Sequence, residues 1–261
     1  MSWAGLKKAA SRAGTQVSMK LGQVERTDDS AFKVEEERFK VLDKNANALQ
    51  KEAKAYLDAV RSVSASSSRI GSTLDLFFGT DSGDQAISAN AYKRAVEELE
   101  GDIARSIDAP YRATILEPIG KFAAHLPEVN NAISKRSKKL LDYDAARSKS
   151  RKAAEKDDAI KLRAAESEEE QTRAIYEALD AQLREELPQL LDLRVPYLDP
   201  SFECMVRLQA HFATNSYEKL GGVQRYFAEG IREEYASGAL DAKVEGALQE
   251  MRELSICGLN A

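Results

Sequence analysis

From Glu128 to Leu187 the sequence contains neither glycine nor proline, and the same is true from Gln23 to Ile70. Nothing local stops a helix over either stretch, because the two residues that most readily end one are absent. At about 1.5 Å per residue, a helix of about fifty residues is about 75 Å long. A compact domain of this chain length has no room for such a rod, so the sequence predicts an elongated, all-α architecture. Composition agrees. Charged residues make up 31% of the 261 and aromatics 7%, with a mean hydropathy of -0.47, which suits long helices burying narrow stripes better than a thick core.

The first long helix is expected to start at Asp28, Asp29 and Ser30, which supply capping oxygens, with acids clustered in the turns that follow. Its apolar positions step through Phe32, Phe39, Leu42, Ala46, Leu49, Ala53, Tyr56, Val60 and Val63, the spacing of a coiled-coil seam. Gly79, Thr80, Asp81, Ser82 and Gly83 end it. A second pattern opens near Ser88 and meets Pro110, Pro118 and Pro127. Ile115, Ile119, Phe122, Leu126, Val129, Ile133, Leu140 and Leu141 continue it on one side, so the prolines are expected to bend the helix without ending it. A polar turn is expected from Glu155 to Ala159. A third pattern runs from Ile175 through Pro188 and Pro196 to about Tyr235, followed by a short helix with Leu240, Val244, Leu248 and Met251. The last apolar residues, Leu254, Ile256 and Leu259, are expected to fold back on the body. Three long helices with so little apolar surface need a partner to cover their seams, and an obligate dimer is the simplest answer.

The net formal charge is -5, yet basic residues are concentrated in two places. Lys135, Arg136, Lys138, Lys139, Arg147, Lys149, Arg151, Lys152, Lys156, Lys161 and Arg163 follow one another with few acids between them. A charged run on a long helix is ordinarily its solvated face; held on a rigid rod, the same cations can also be presented together to an anionic surface. The segment Met1 to Val24 has Lys7, Lys8, Arg12 and Lys20 and no acid. On a helical wheel Trp3, Leu6, Ala10, Val17 and Leu21 gather opposite Lys8 and Arg12, an amphipathic pattern weakened by Gly5, Gly14 and Gly22. It can fold on anionic lipid or pack on the body as an ordinary terminal helix.

Several chemistries are disfavoured. Cys204 and Cys257 are the only cysteines, which argues against a disulfide framework and for a reducing compartment. No apolar run approaches the roughly 20 residues of a membrane span. No secretory signal is evident, and Cys257 lies one place too far from Ala261 for a prenylation box. His125 and His211 are the only histidines and stand in unrelated contexts, so catalysis is not expected; zinc spacing and a phosphate-cradling glycine loop are also lacking, and no metal or cofactor is implied. Asp142 and Asp144 are expected to pair with Lys139 and Arg147. Overall acidity speaks against nucleic acid as a partner.

Four stretches carry a family resemblance: KRSKKLLDYDAAR from Lys135, LREELPQLLDLRVPYLDPSF from Leu183, KEAKAYLDAVRSV from Lys51, and MSWAGLKKA at the start. Over nearly the whole chain the sequence resembles a BAR domain of the amphiphysin/Rvs family, nearest the short fungal Rvs type without an SH3 domain. The resemblance implies an antiparallel three-helix coiled coil with proline-kinked helices, dimerising into a crescent-shaped six-helix bundle. It implies an amphipathic segment over residues 1–24, a BAR domain over 25–236, and a short helix and tail packed on the body over 237–261. Lys135, Arg136, Lys138, Lys139 and Arg147 would form the concave membrane-binding face. Lys152, Lys156, Lys161 and Arg163 would form the tip, while Trp3, Leu6, Lys7, Lys8 and Arg12 would belong to the inserting segment. The implied partners are an anionic phospholipid membrane, a homodimer mate or a longer SH3-bearing BAR relative, and actin-regulatory proteins. The implied role is curvature sensing and generation in endocytosis and actin organisation, in the cytoplasm and on the plasma membrane at cortical actin or endocytic sites. The competing reading is a cytoplasmic coiled-coil scaffold that binds cytoskeletal or signalling proteins without bending lipid.

Overall fold

A computed structural model describes residues 3–79, 83–156, 158–254 and 256. The expected helix stop at Thr80, Asp81 and Ser82 and the tail positions Cys257 and Leu259 lie outside the described residues. In order, the elements are α1 (Trp3–Lys20), α2 (Ser30–Phe78), α3 (Asp84–Asp102), a π-helical segment (Ile103–Asp108), α4 (Ala109–Tyr111), a second π-helical segment (Arg112–Leu116), α5 (Glu117–Ala154), α6 (Ala159–Gly221), a 3-10 turn (Gln224–Tyr226), α7 (Ile231–Ser237) and α8 (Ala239–Glu253). The backbone therefore stays helical from Asp84 to Ala154 through three prolines. The two π-helical turns stand just ahead of Pro110 and Pro118. Proline withholds a donor and crowds the carbonyl four residues earlier, and a widened turn is one way to make room for it. Pro127, Pro188, Pro196 and Pro200 are carried inside α5 and α6.

The chain divides into two compact units. The first comprises Met1–Ala55 and Arg112–Met205. Its core is built from Phe32, Phe39 and Ala46 of α2, Phe122, Leu126 and Ile133 of α5, and Leu183 and Leu187 of α6. The heptad step of Phe32, Phe39 and Ala46 continues to Ala53, which is also buried. Leu49, assigned to the same seam by spacing, is 39% exposed and joins Val34 and Val41 on a second, outward stripe of α2. Asp28 caps α2 by accepting the Ser30 backbone N–H at 3.0 Å, while Asp29 turns inward and is buried.

The second unit comprises Tyr56–Tyr111 and Val206–Ala261. Val60, Ile103 and Ile107 form its centre, with Tyr56 and Phe212 packed against them. The Tyr56 and Tyr111 rings stack with centroids 5.7 Å apart. At Gly71 a Cβ would meet Val96 Cγ2 at 2.8 Å and the Lys93 Cα at 2.9 Å, so α2 and α3 approach too closely there for any side chain. Asp75 accepts from Lys93 at 2.8 Å and from Asn90 at 3.1 Å across the same contact.

Two expectations fail in this unit. The third helix does not persist to Tyr235; it stops at Gly221, beside Gly222, where two adjacent residues of low helix propensity coincide. The C-terminal helix is not packed on the body either. No residue of α8 is buried, and Val244, Leu248 and Met251 all face solvent. A tight turn at Gly238, φ 75°, joins α7 to α8, and Lys243 reaches Glu234 at 2.6 Å, so its polar contacts are spent within this helical pair.

Candidate functional site

The N-terminal segment is helical from Trp3 despite Gly5 and Gly14, and it lies against α5 in the first unit. What docks it is its polar side. Arg12 donates from Nε to Asp142 Oδ1 and from Nη2 to Asp142 Oδ2, both at 2.7 Å. This raises the arginine pKa, chiefly through those bonds and against a smaller opposing effect of burial. Thr15, Ser18 and Met19, one and two turns on, are half-buried beside it. The apolar side points outward, with Trp3 74% exposed and Leu6, Val17 and Leu21 also in solvent. A surface helix of a soluble protein normally does the reverse, turning its apolar stripe to the core. Lys7 lies 5.9 Å from the Trp3 ring centroid, and both Lys7 and Lys8 are exposed.

On α5 the expected cationic face separates into two kinds of residue. Lys135 and Lys138 are exposed and without an ion pair among the described residues, and Lys139 is half-buried, 3.9 Å from Asp142. Arg136 corrects the expectation: its side chain is fully buried. It donates to Asp29 from Nη1 at 2.9 Å, bonds the same carboxylate through Nη2, and reaches Asp180 from Nε at 2.7 Å. Its guanidinium lies 3.6 Å from the Phe32 ring centroid and 3.2 Å, through Nη2, from the Tyr176 hydroxyl. Burial opposes its charge, but the two carboxylates outweigh that and hold its pKa above the ordinary arginine value. Arg136 is therefore an internal staple joining the start of α2 to α5 and α6. Helical spacing carries the signal that basic clustering hides: Arg136 falls three residues after buried Ile133 and four before buried Leu140.

Arg147 is likewise committed inward. It donates to the Glu25 carbonyl at 2.9 Å and pairs with buried Asp144 at 3.0 Å. The expected pairing with Asp144 is present, and Asp144 also accepts the Thr27 hydroxyl at 2.6 Å, tying the segment before α2 to α5. Asp142, in contrast, belongs mainly to Arg12. Sequence assigned Asp29 a capping role only, and its pairing with Arg136, the part of Asp180 and the docking role of Asp142 were not foreseen, since each joins residues far apart in the chain.

In the expected tip region the turn between α5 and α6 falls at residues 155–158, with Asp157 outside the described residues. Lys152, Lys156 and Arg163 are exposed and unpaired among the described residues; Lys161 pairs with Asp158 at 2.7 Å. No group of His, Cys, Asp and Glu suited to a metal occurs among the described residues, and no described helix is long and apolar enough to cross a membrane.

A sequence model of the BAR domain matches residues 6–229. The chain is 50% identical over 262 residues to Protein hob3 of Schizosaccharomyces pombe, covering 100% of this chain and 99% of that protein. It is 41% identical over 264 residues to "Regulator of cytoskeleton and endocytosis RVS161" of Candida albicans, covering 99% of each. Among solved structures, the fold is similar to the amphiphysin BAR domain from Drosophila, with a TM-score of 0.56 at 23% identity over 77% of this chain and 94% of that one. A BAR protein from Galdieria sulphuraria gives a TM-score of 0.61 at 15% identity over 77% and 98%.

Proposed function

The chain belongs to the BAR domain family, and from that premise we propose that it binds anionic membranes and bends them without catalysing a reaction, in endocytosis and actin organisation. The observation that carries this reading is the orientation of α1: it is held by its polar face through Arg12 and Asp142 while Trp3, Leu6, Val17 and Leu21 face outward. Such a stripe is ready to enter the headgroup and acyl boundary, where insertion into one leaflet expands that leaflet and favours curvature. Lys7 and Lys8 flank it, and Lys135 and Lys138 supply unpaired charge on α5 of the same unit. Each lysine or arginine near an anionic leaflet contributes about 1 kcal/mol, so binding needs several cations at once and weakens with salt.

The working form is a dimer. Val34 and Val41 of α2 and Leu193 of α6 leave apolar surface uncovered in the first unit, and Val63 and Ile70 do so in the second. The mate is a second copy or a longer, SH3-bearing BAR relative, and the setting is the cytoplasmic side of the plasma membrane at cortical actin or endocytic sites. Vesicle sedimentation with electron microscopy tests the proposal. Binding should require anionic lipid, fall as salt rises, and convert vesicles to tubules at high coverage; a protein that ignores phosphatidylserine vesicles in low salt overturns it.

A further inference from the structure

Among the described residues Val223 is the last buried one, and beyond it the chain leaves the core of the second unit. Ser88 of α3 holds the 3-10 turn by donating its hydroxyl to the Tyr226 carbonyl at 2.7 Å. The BAR sequence model ends at residue 229, so α7 and α8 are an addition to the fold that it describes. The two helices have 7 and 15 residues, lengths at which a helix is marginal in water unless its apolar face is covered. Here that face is open. Val244, Leu248 and Met251 recur at the spacing of one helix face; Val244 is 67% exposed, Leu248, Met251 and Leu254 are exposed with it, and Tyr235 of α7 is 78% exposed.

The border of this stripe carries charge of one sign. Between Ala228 and Leu254 seven acids stand against three bases, which accounts for most of the chain's net charge of -5. Helical spacing puts Asp241 on one side of the stripe and Glu250 on the other. Lys243 is held by Glu234 at 2.6 Å and Arg252 by Glu245 at 3.3 Å. Glu233, Asp241 and Glu250 have no ion-pair partner among the described residues. Two of the three bases are therefore spent, and three carboxylates are left over. That surplus selects the occupant. An anionic leaflet is repelled by it, and a second copy would bring the same excess of acid against itself. A helix with an apolar stripe flanked by lysine or arginine answers both needs, because it covers the exposed side chains and pairs the carboxylates.

We infer that α7 and α8 form a docking surface for a basic amphipathic helix of another protein, held by Val244, Leu248 and Met251 and steered by Asp241 and Glu250. The inference goes beyond the membrane reading and does not rest on it. Cations of the first unit serve lipid, whereas this acidic pair serves protein, so one chain holds two kinds of partner through surfaces of opposite charge.

Fluorescence anisotropy tests the inference with a labelled synthetic peptide of about fifteen residues, leucine at helical spacing and lysine at the remaining positions. At about 0.05 M salt the full chain should bind it saturably, one peptide per protomer, and more weakly as salt rises. The same peptide with glutamate for lysine should not bind. V244S/L248S should lose about tenfold in affinity and D241N/E250Q about threefold, each with the thermal melt of wild type. Hydrogen exchange over residues 231–253 should slow when the peptide is bound and stay unchanged elsewhere, which a peptide adhering to acidic surface at large would not produce. Equal affinity for wild type and V244S/L248S, or equal binding of the lysine and glutamate peptides, overturns the inference. A light-scattering mass that V244S/L248S lowers assigns the face to a second copy, and loss of phosphatidylserine-vesicle binding in V244S/L248S assigns it to lipid; either result also overturns it. Saturable peptide binding by a chain that ignores anionic vesicles upholds the surface and overturns the membrane reading alone.

Discussion

Arg12 in α1 and Asp142 in α5, 130 residues apart, are joined at two points, each 2.7 Å long. A two-point arginine–carboxylate pair fixes direction as well as distance, and here it fixes which side of α1 meets solvent. Removing it should free the helix without unfolding the protein. In D142N, hydrogen exchange over residues 3–20 should accelerate towards that of an isolated peptide, because a helix of this length with two internal glycines is marginal alone, while exchange in α5 and α6 stays slow. Trp3 anisotropy should fall in parallel. The reversed pair R12D/D142R should restore slow exchange; if exchange in D142N equals wild type, the pair does not dock the helix.

Arg136 and its basic neighbours should part company under mutation. R136A leaves buried Asp29 with only the longer contact to Arg184, at 3.8 Å, beside a space left by the guanidinium, and breaking a buried pair in this way typically costs about 3–5 kcal/mol. Thermal melts should show a large drop, and R136K should recover little of it, since lysine cannot bond Asp29 and Asp180 together while stacking on Phe32. K135E/K138E should melt like wild type yet lose most anionic-vesicle binding. A normal melt for R136A would refute the staple.

This division marks what could be read in the chain before its fold was known. The cap at Asp28, the stripe through Phe32, Phe39 and Ala46, and the persistence of helix through Pro110, Pro118 and Pro127 all depend on residues close in sequence, and each was legible. The π-helical turns were not, because proline tells where a helix must yield but leaves open how. Arg136 was misplaced because four cations in five residues look like a surface, although its register with Ile133 and Leu140 points inward. The docking of α1 was out of reach for a different reason: amphipathicity shows that a helix has two faces, and only Asp142 decides which one is turned to the protein.

A pH dependence should come from the α2–α3 contact of the second unit. Asp75 lies below the ordinary carboxylate pKa, first because Lys93 donates to it and then because Asn90 does. A carboxyl whose folded pKa is depressed contributes stability above its unfolded value, near 3.9, and loses that contribution as pH falls through the folded value. The melting temperature of D75N should therefore lie below wild type by a constant margin between about pH 5 and 8, and the two should converge below about pH 4. A margin that persists at low pH would mean that the loss in D75N is not electrostatic.

Gly71 in the same contact gives a purely steric test. Because the Lys93 backbone stands 2.9 Å from where a Cβ would be, G71A forces α2 and α3 apart even though alanine is the better helix former by about 1 kcal/mol. The expected sign is destabilisation, read as a lower melting temperature. Stabilisation by G71A would show that the helices separate there at no cost.

The outward stripe of α2 should decide the oligomeric state. Phe32, Phe39 and Ala46 are spent on the core of their own protomer, whereas Val34 and Val41 line a groove of about 860 Å³ with Leu42, Leu49, Phe122 and Leu198. A helix with apolar residues on two sides is solvated on neither in its working state. A charge placed on the outer stripe leaves the inner core intact but cannot be buried against a mate without a partner of its own. V41D should therefore preserve helicity by circular dichroism and shift the mass measured by light scattering from dimer towards monomer as the protein is diluted. It should also weaken vesicle binding, since a monomer presents half the cations of a dimer. A V41D protein that remains dimeric at the same concentrations as wild type would exclude this stripe from the interface.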